Sequence, residues 1–150
     1  MVSRTYTTRR SGILQALANK LKAIDGTGDY ATNLFENVSP RLLFWDEVTD
    51  FPAVHLNAGQ ETREYQGGGY KDRFLQVTVR CYVNEEEAQD ALSALLEDVE
   101  TVLEDNSSLE YLDRKGVKHR TQQITIVSID TDEGVLEPLG VAEMTIEVRY

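Results

Sequence analysis

The stretch FLQVTVRCYV, residues 74–83, decides the fold class. Leu75, Val77, Val79, Cys81 and Val83 alternate with Phe74, Gln76, Thr78, Arg80 and Tyr82. A period of two marks a strand with one face in a core. Upstream, FPAVHLNAGQETREY (51–65) places Val54, Leu56 and Ala58 on one face and His55 on the other, at the expected surface. Gln66-Gly67-Gly68-Gly69 breaks the pattern between the two. Residues 51–83 therefore predict a long hairpin. Its glycine tip has no side chains to pack and a high ordering cost, so the tip is expected to be mobile.

Working outward, the strand runs straight into EEEAQDALSALLEDVETVL. Ala88, Ala91, Leu92, Leu95, Val99, Val102 and Leu103 recur at helical spacing. Asn84 is the expected N-cap, Glu87 completes a capping box, and Glu85–Glu87 suit the positive end of the helix dipole. The helix should reach about Asp105 and leave through Asn106-Ser107-Ser108. Near the N-terminus, Ile13, Leu14, Leu17, Leu21 and Ile24 form a second apolar stripe starting at Ser11. Asp25-Gly26-Thr27-Gly28 ends it. Residues 1–8 read as a flexible arm, and Leu42–Trp45 as a short strand.

Asp113-Arg114-Lys115-Gly116 predicts a turn. Ile124–Ile129 reads as a strand covered on both faces. A final strand points Ala142, Met144, Ile146, Val148 and Tyr150 inward. The order helix, strands, helix, strands predicts an α+β fold: a largely antiparallel sheet with two helices packed on one face. The 150 residues fit one domain, spanning 1–150.

Composition limits function. The net charge of −11 argues against gripping nucleic acid, which needs clustered Lys and Arg. No apolar run is long enough to span a bilayer, and no signal-type core follows the N-terminus, so a protein made in the cytoplasm and not held by a membrane is expected. The charge is uneven: residues 1–24 hold five cations and no acid, and residues 82–112 hold ten acids and no cation. Such a split suits charge-complementary subunit contacts, with Arg9 and Arg10 on the basic side.

The chemistry-bearing motifs reduce to structure. Gly67–Gly69 joins two strands and lacks the Lys-Ser/Thr ending of a phosphate loop. Asp130, Asp132, Glu133 and Glu137 resemble a calcium loop only loosely, with Gly134 one place early, and read as a hairpin turn. His55 and His119 have no serine elbow or orienting carboxylate in sequence, and Cys81 reads as a small buried hydrophobe. No catalytic, cofactor or metal site is expected. The expected chemistry is assembly.

The order of pieces resembles the tail terminator, or tail completion, proteins of long-tailed bacteriophages. The carrying residues are ILQALANKLKAI with Tyr30 beyond it, the Phe51-Pro52-Ala53-Val54 opening, FLQVTVRCYV leading into the acidic helix, and LEPLGVAEM before TIEVRY. The resemblance implies a virion protein that forms a homo-hexameric ring on the tail tube protein and ends tube growth at the length set by the tape-measure protein. It also implies a docking surface for the head connector protein, with DNA only passing through the lumen. The acidity agrees with such a channel, because negative walls repel the DNA backbone. A head–tail connector or neck subunit, or an unrelated small binding module, are the other readings. Candidate contact residues at the hairpin tip are Arg63, Glu64, Tyr65, Tyr70 and Arg73, since Tyr and Arg dominate protein interfaces.

Overall fold

The computed structural model describes residues 8–42 and 45–150, with the backbone alone at residue 45. The arm expected over 1–8 and the strand expected over Leu42–Trp45 lie largely outside these residues. Of the described part, Thr8 is the helix cap and Trp45–Glu47 form a single 3-10 turn.

Helix α1 spans Arg9–Leu21. Thr8 and Ser11 form a reciprocal capping box, with Ser11 N donating to Thr8 Oγ1 at 3.2 Å. The helix stops one turn before Ile24, yet Ile24 remains fully buried and its carbonyl accepts from Leu34 N at 3.0 Å. A two-residue strand β1, Val38–Ser39, then leads to β2, Ala53–Tyr65, and β3, Lys71–Asn84. Helix α2 follows at Ala88–Asp105, a small hairpin of β4 (Glu110–Leu112) and β5 (Lys118–Arg120) comes next, and β6 (Gln123–Thr131) and β7 (Leu139–Arg149) end the order.

The main sheet has the order β1-β2-β3-β7-β6, and only the β1–β2 contact is parallel. Both helices lie on one face of it. Leu17 and Leu21 of α1 and Leu92, Leu95 and Val99 of α2 share one buried cluster with Leu56, Val77, Val79, Met144 and Ile146. These strand residues are paired across the sheet at Leu56–Val79–Met144 and Val77–Ile146, so they project to the same side. Each fully buried leucine contributes about 2 kcal/mol of transfer free energy.

Two local expectations change. Asn84 does not cap α2: it stays in β3 opposite Leu139, and Glu85 N donates to Pro138 O at 3.0 Å. The helix therefore opens three residues later, with Glu87 at the cap and no side-chain capping bond. Gly140 sits against this junction. A Cβ there would lie 2.8 Å from Val83 Cγ2 and 3.3 Å from the Ala88 Cβ, so the close approach of β7 to α2 requires glycine. Finally, β6 is not covered on both faces. Ile124 is buried, but Val127 and Ile129 are 58% and 42% exposed.

Candidate assembly surfaces

The β2–β3 hairpin extends beyond the core as an arm. Buried side chains on β2 end at Leu56, and Thr62–Tyr65 are all exposed. A bulge between Ala58 and Glu61 resets the register where the arm begins. Beyond it, Arg63 faces Arg73 and Glu64 faces Asp72 across the pair. Like charges directly opposite destabilise a hairpin. The root of the arm offsets this. Arg63 Nε donates to Glu61 at 2.7 Å, Arg149 Nη2 donates to Asp72 at 2.9 Å, and the Arg73 guanidinium lies 5.5 Å from the centre of the Tyr150 ring.

The tip is a turn over Gly67–Gly69, closed by Gln66 N donating to Tyr70 O at 2.7 Å. Gly68 and Gly69 have φ of +78° and +83°, which side chains disfavour. Tyr65 and Tyr70 flank the turn at 73% and 75% exposure. Two rings so exposed on a protruding hairpin have the chemistry of a contact surface.

At the foot of the arm the Tyr150 hydroxyl donates to the Glu61 carboxylate. Burial and this bond push the Tyr150 hydroxyl up to about 12. Burial pushes Glu61 up, but the hydrogen bonds from Tyr150 and Arg63 outweigh it and hold the carboxyl below its ordinary value. Tyr111 meets Tyr150 edge to face at 6.3 Å and stacks on His119 at 5.7 Å. His119 Nε2 lies 2.8 Å from Asp113 Oδ2. That bond, together with backbone N–H groups of Val117 and Lys115, holds Asp113 at about 2. A groove of about 520 Å³ opens here, lined by Thr8, Arg9, Arg73, Asp113, Arg114 and Lys115. Four cations and one carboxylate make it a basic focus on an acidic protein.

The predicted contact residues divide accordingly. Arg9 and Arg73 come together in the groove, and Arg63, Glu64, Tyr65 and Tyr70 line the arm. Arg10 is drawn away: its Nη2 donates to Gly59 O at 2.5 Å, fastening α1 to the β2 bulge. Arg114 and Lys115 lie on the turn expected over Asp113–Gly116, but their place in the groove depends on Arg9 and Arg73 from distant elements and has no local signal.

The acids of 82–112 do not form one solvated face. Asp98 is 4% exposed and points inward from α2. Its carboxylate accepts from Ala31 N at 3.1 Å, Thr32 N at 2.7 Å and Thr32 Oγ1 at 2.5 Å, anchoring the loop after α1. Glu85, Glu86 and Glu87 are exposed at the end of β3 opposite the arm. Asp130, Asp132 and Glu133, at the start of the β6–β7 turn, lie at that same end. The turn is internally held: Asp132 accepts from Gln89 Nε2 at 3.0 Å and from Gly134 N at 3.3 Å. Along the strand direction the molecule is thus basic at the arm's foot and acidic at the other end.

His55 is not a surface residue. It is 4% exposed, with its ring 5.2 Å from that of Tyr82. The segment 47–50 and the β1 region lie beside it on the sheet's outer face, a non-local cover that strand alternation does not encode. Burial first, and the Arg80 charge second, lower its pKa. Cys81 is fully buried and its thiol is pushed up to about 12, the state of a packing residue.

The α+β core thus presents a projecting arm and two ends of opposite charge. Residues 7–150 match the model of the bacteriophage tail tube terminator protein family, and the chain belongs to that family. It is 34% identical over 149 residues to the tail tube terminator protein p142 of Escherichia phage T5, covering 94% of this chain and 92% of that protein. A chain from the virion of a native gene transfer agent particle has the same fold. Its TM-score is 0.55 at 12% identity, covering 95% of this chain and 93% of that one. The protein is a structural component of the phage tail and of the virion, not an enzyme.

Proposed function

We propose that the chain caps the head-proximal end of the tail tube as a homo-hexameric ring, stops tube polymerisation and offers its outer rim to the head connector. The family match over residues 7–150 carries this reading. The ring sits on the last layer of tail tube protein, at the length set by the tape-measure protein, and DNA passes through its lumen without specific contact. Assembly takes place in the host cytoplasm. The opposed charge of the two ends supports a subunit with two different neighbours along the tail axis. Adding purified chain to elongating tail tubes should halt the growth of light scattering at substoichiometric ratios to tube protein. Undiminished elongation at excess chain would contradict it.

Within this reading the arm is a contact element. Its exposed Tyr65 and Tyr70, together with Arg63, Glu64 and Arg73, meet a neighbouring subunit or the tube. Deleting Gln66–Tyr70 should leave the thermal transition nearly unchanged, because no residue of the tip is buried, and should abolish capping. Normal capping by a folded deletion would reduce the arm to a loop.

A further inference from the structure

The main sheet ends in two open edges. On one side β1 covers only Val54 and His55 of β2, so the outer edge of Glu61–Tyr65 pairs with no strand among the described residues. On the other side β6 pairs only with β7, and the outer edge of Gln123–Thr131 meets no strand among the described residues. The β6 edge carries one of the usual protections, a bulge between Ile126 and Ser128, and little else. It contains no Pro and no Lys, its only charge is Asp130, and it exposes Val127 and Ile129. A nine-residue edge with a single charge is a template for pairing with another chain.

We infer that β6 of one copy pairs with the arm-side edge of β2 in the next copy, continuing the sheet from subunit to subunit. The direction of the strands supports this. Order β2-β3-β7-β6 contains four strands, each antiparallel to its neighbour, so β2 and β6 run in opposite senses. Rotation about an axis along the strands keeps those senses. The β2 of a rotated copy therefore meets β6 antiparallel, in the same hydrogen-bond pattern as the rest of the sheet. The two edges differ from each other, so the contact is heterologous, the kind that closes into rings. Closure covers the β6 edge and the part of β2 that β1 leaves open. It also places Val127 beside a partner strand instead of water.

The inference rests on the ring reading, and cysteine cross-linking separates the two. Thr62 pairs with Phe74 and Ser128 with Thr145, on the sheet face away from the helices, and both are exposed. T62C and S128C would place thiols on neighbouring strands of one continuous face, and the buried native Cys81 stays silent. A short flexible bis-maleimide is applied to the protein alone and to protein bound to tail tubes. The double variant should give a ladder extending past the dimer. An equimolar mixture of the two single variants should stop at the dimer, and each single variant alone should stay uncrosslinked. A dimer from S128C alone would mean that β6 pairs with itself and would overturn the inference. An oligomer by light scattering with no β2–β6 cross-link would overturn it and leave the ring intact. A monomer in both conditions would overturn both. As a second arm, Val127→Lys should leave the melting temperature unchanged, since the side chain is already exposed, and should abolish the oligomer. An unchanged oligomer in that folded variant would likewise count against the pairing.

Discussion

The Tyr150 hydroxyl donates to Glu61, so the residue that follows β7 is tied to the first residue of the arm beyond its bulge. Tyr150 N also donates to Arg73 O at 3.0 Å on the opposite strand of the arm. One side chain and one amide thus connect the core to both strands of the projecting hairpin. The aromatic body of Tyr150 packs under Arg73.

Tyr150 gives the protein an alkaline dependence with a fixed sign. The unfolded chain releases this proton near pH 10, whereas the folded protein holds it to about 12. The contribution is fully present below about pH 10 and is lost as pH rises toward 12. Tyr150→Phe should remove that part of the slope and lower neutral stability by about 1 kcal/mol, the typical worth of one hydrogen bond. Chemical denaturation of both proteins from pH 8 to 12 checks it. An identical alkaline slope in the variant would show that the Glu61 contact does not hold in solution.

His55 works at the other end of the pH scale. Its folded pKa lies below the ordinary value of 6.5, chiefly because burial disfavours the charged ring. The unfolded chain takes up the proton first as pH falls. Stability from the neutral buried ring is present above about pH 6.5 and is lost below it. His55→Leu should flatten the stability profile between pH 7 and 5 relative to the wild type, measured as the urea midpoint. Parallel profiles would place the ring in water.

Asp98 stabilises from inside an acidic helix. Removing it by Asp98→Ala leaves the Ala31 and Thr32 amides without their acceptor, which should cost about 2–4 kcal/mol. Substituting an exposed neighbour on the same helix, Glu97→Ala, should change stability by less than about 0.5 kcal/mol. Thermal melts of the two variants decide it. Equal effects would mean that Asp98 is one more solvated charge.

The parts legible in sequence are those whose pattern is long and local. The alternation of Leu75–Val83 and the stripe from Ala88 to Leu103 each repeat often enough to fix an element and its buried face. The antiparallel sheet and the single helix-bearing face follow from them. Short or externally imposed features were not legible. Strands β1, β4 and β5 span two or three residues, too few for a period to show. The start of α2 was set by Leu139 and Pro138 from a distant strand, which overruled a good capping sequence at Asn84. The same is true of the contact residues. Composition marked the arm, whereas the groove needed α1, β3 and the β4–β5 turn to converge before Arg9, Arg73 and Lys115 became neighbours.

Imaging tube ends separates a chain that closes the tail tube from one that does not. Purified protein is mixed with preformed tail tubes, and the ends are examined by electron microscopy with class averaging. One ring of extra density at one end of each tube, with six-fold symmetry and bare tube walls, is the expected result. Density along the walls, at both ends alike, or at neither end would contradict it.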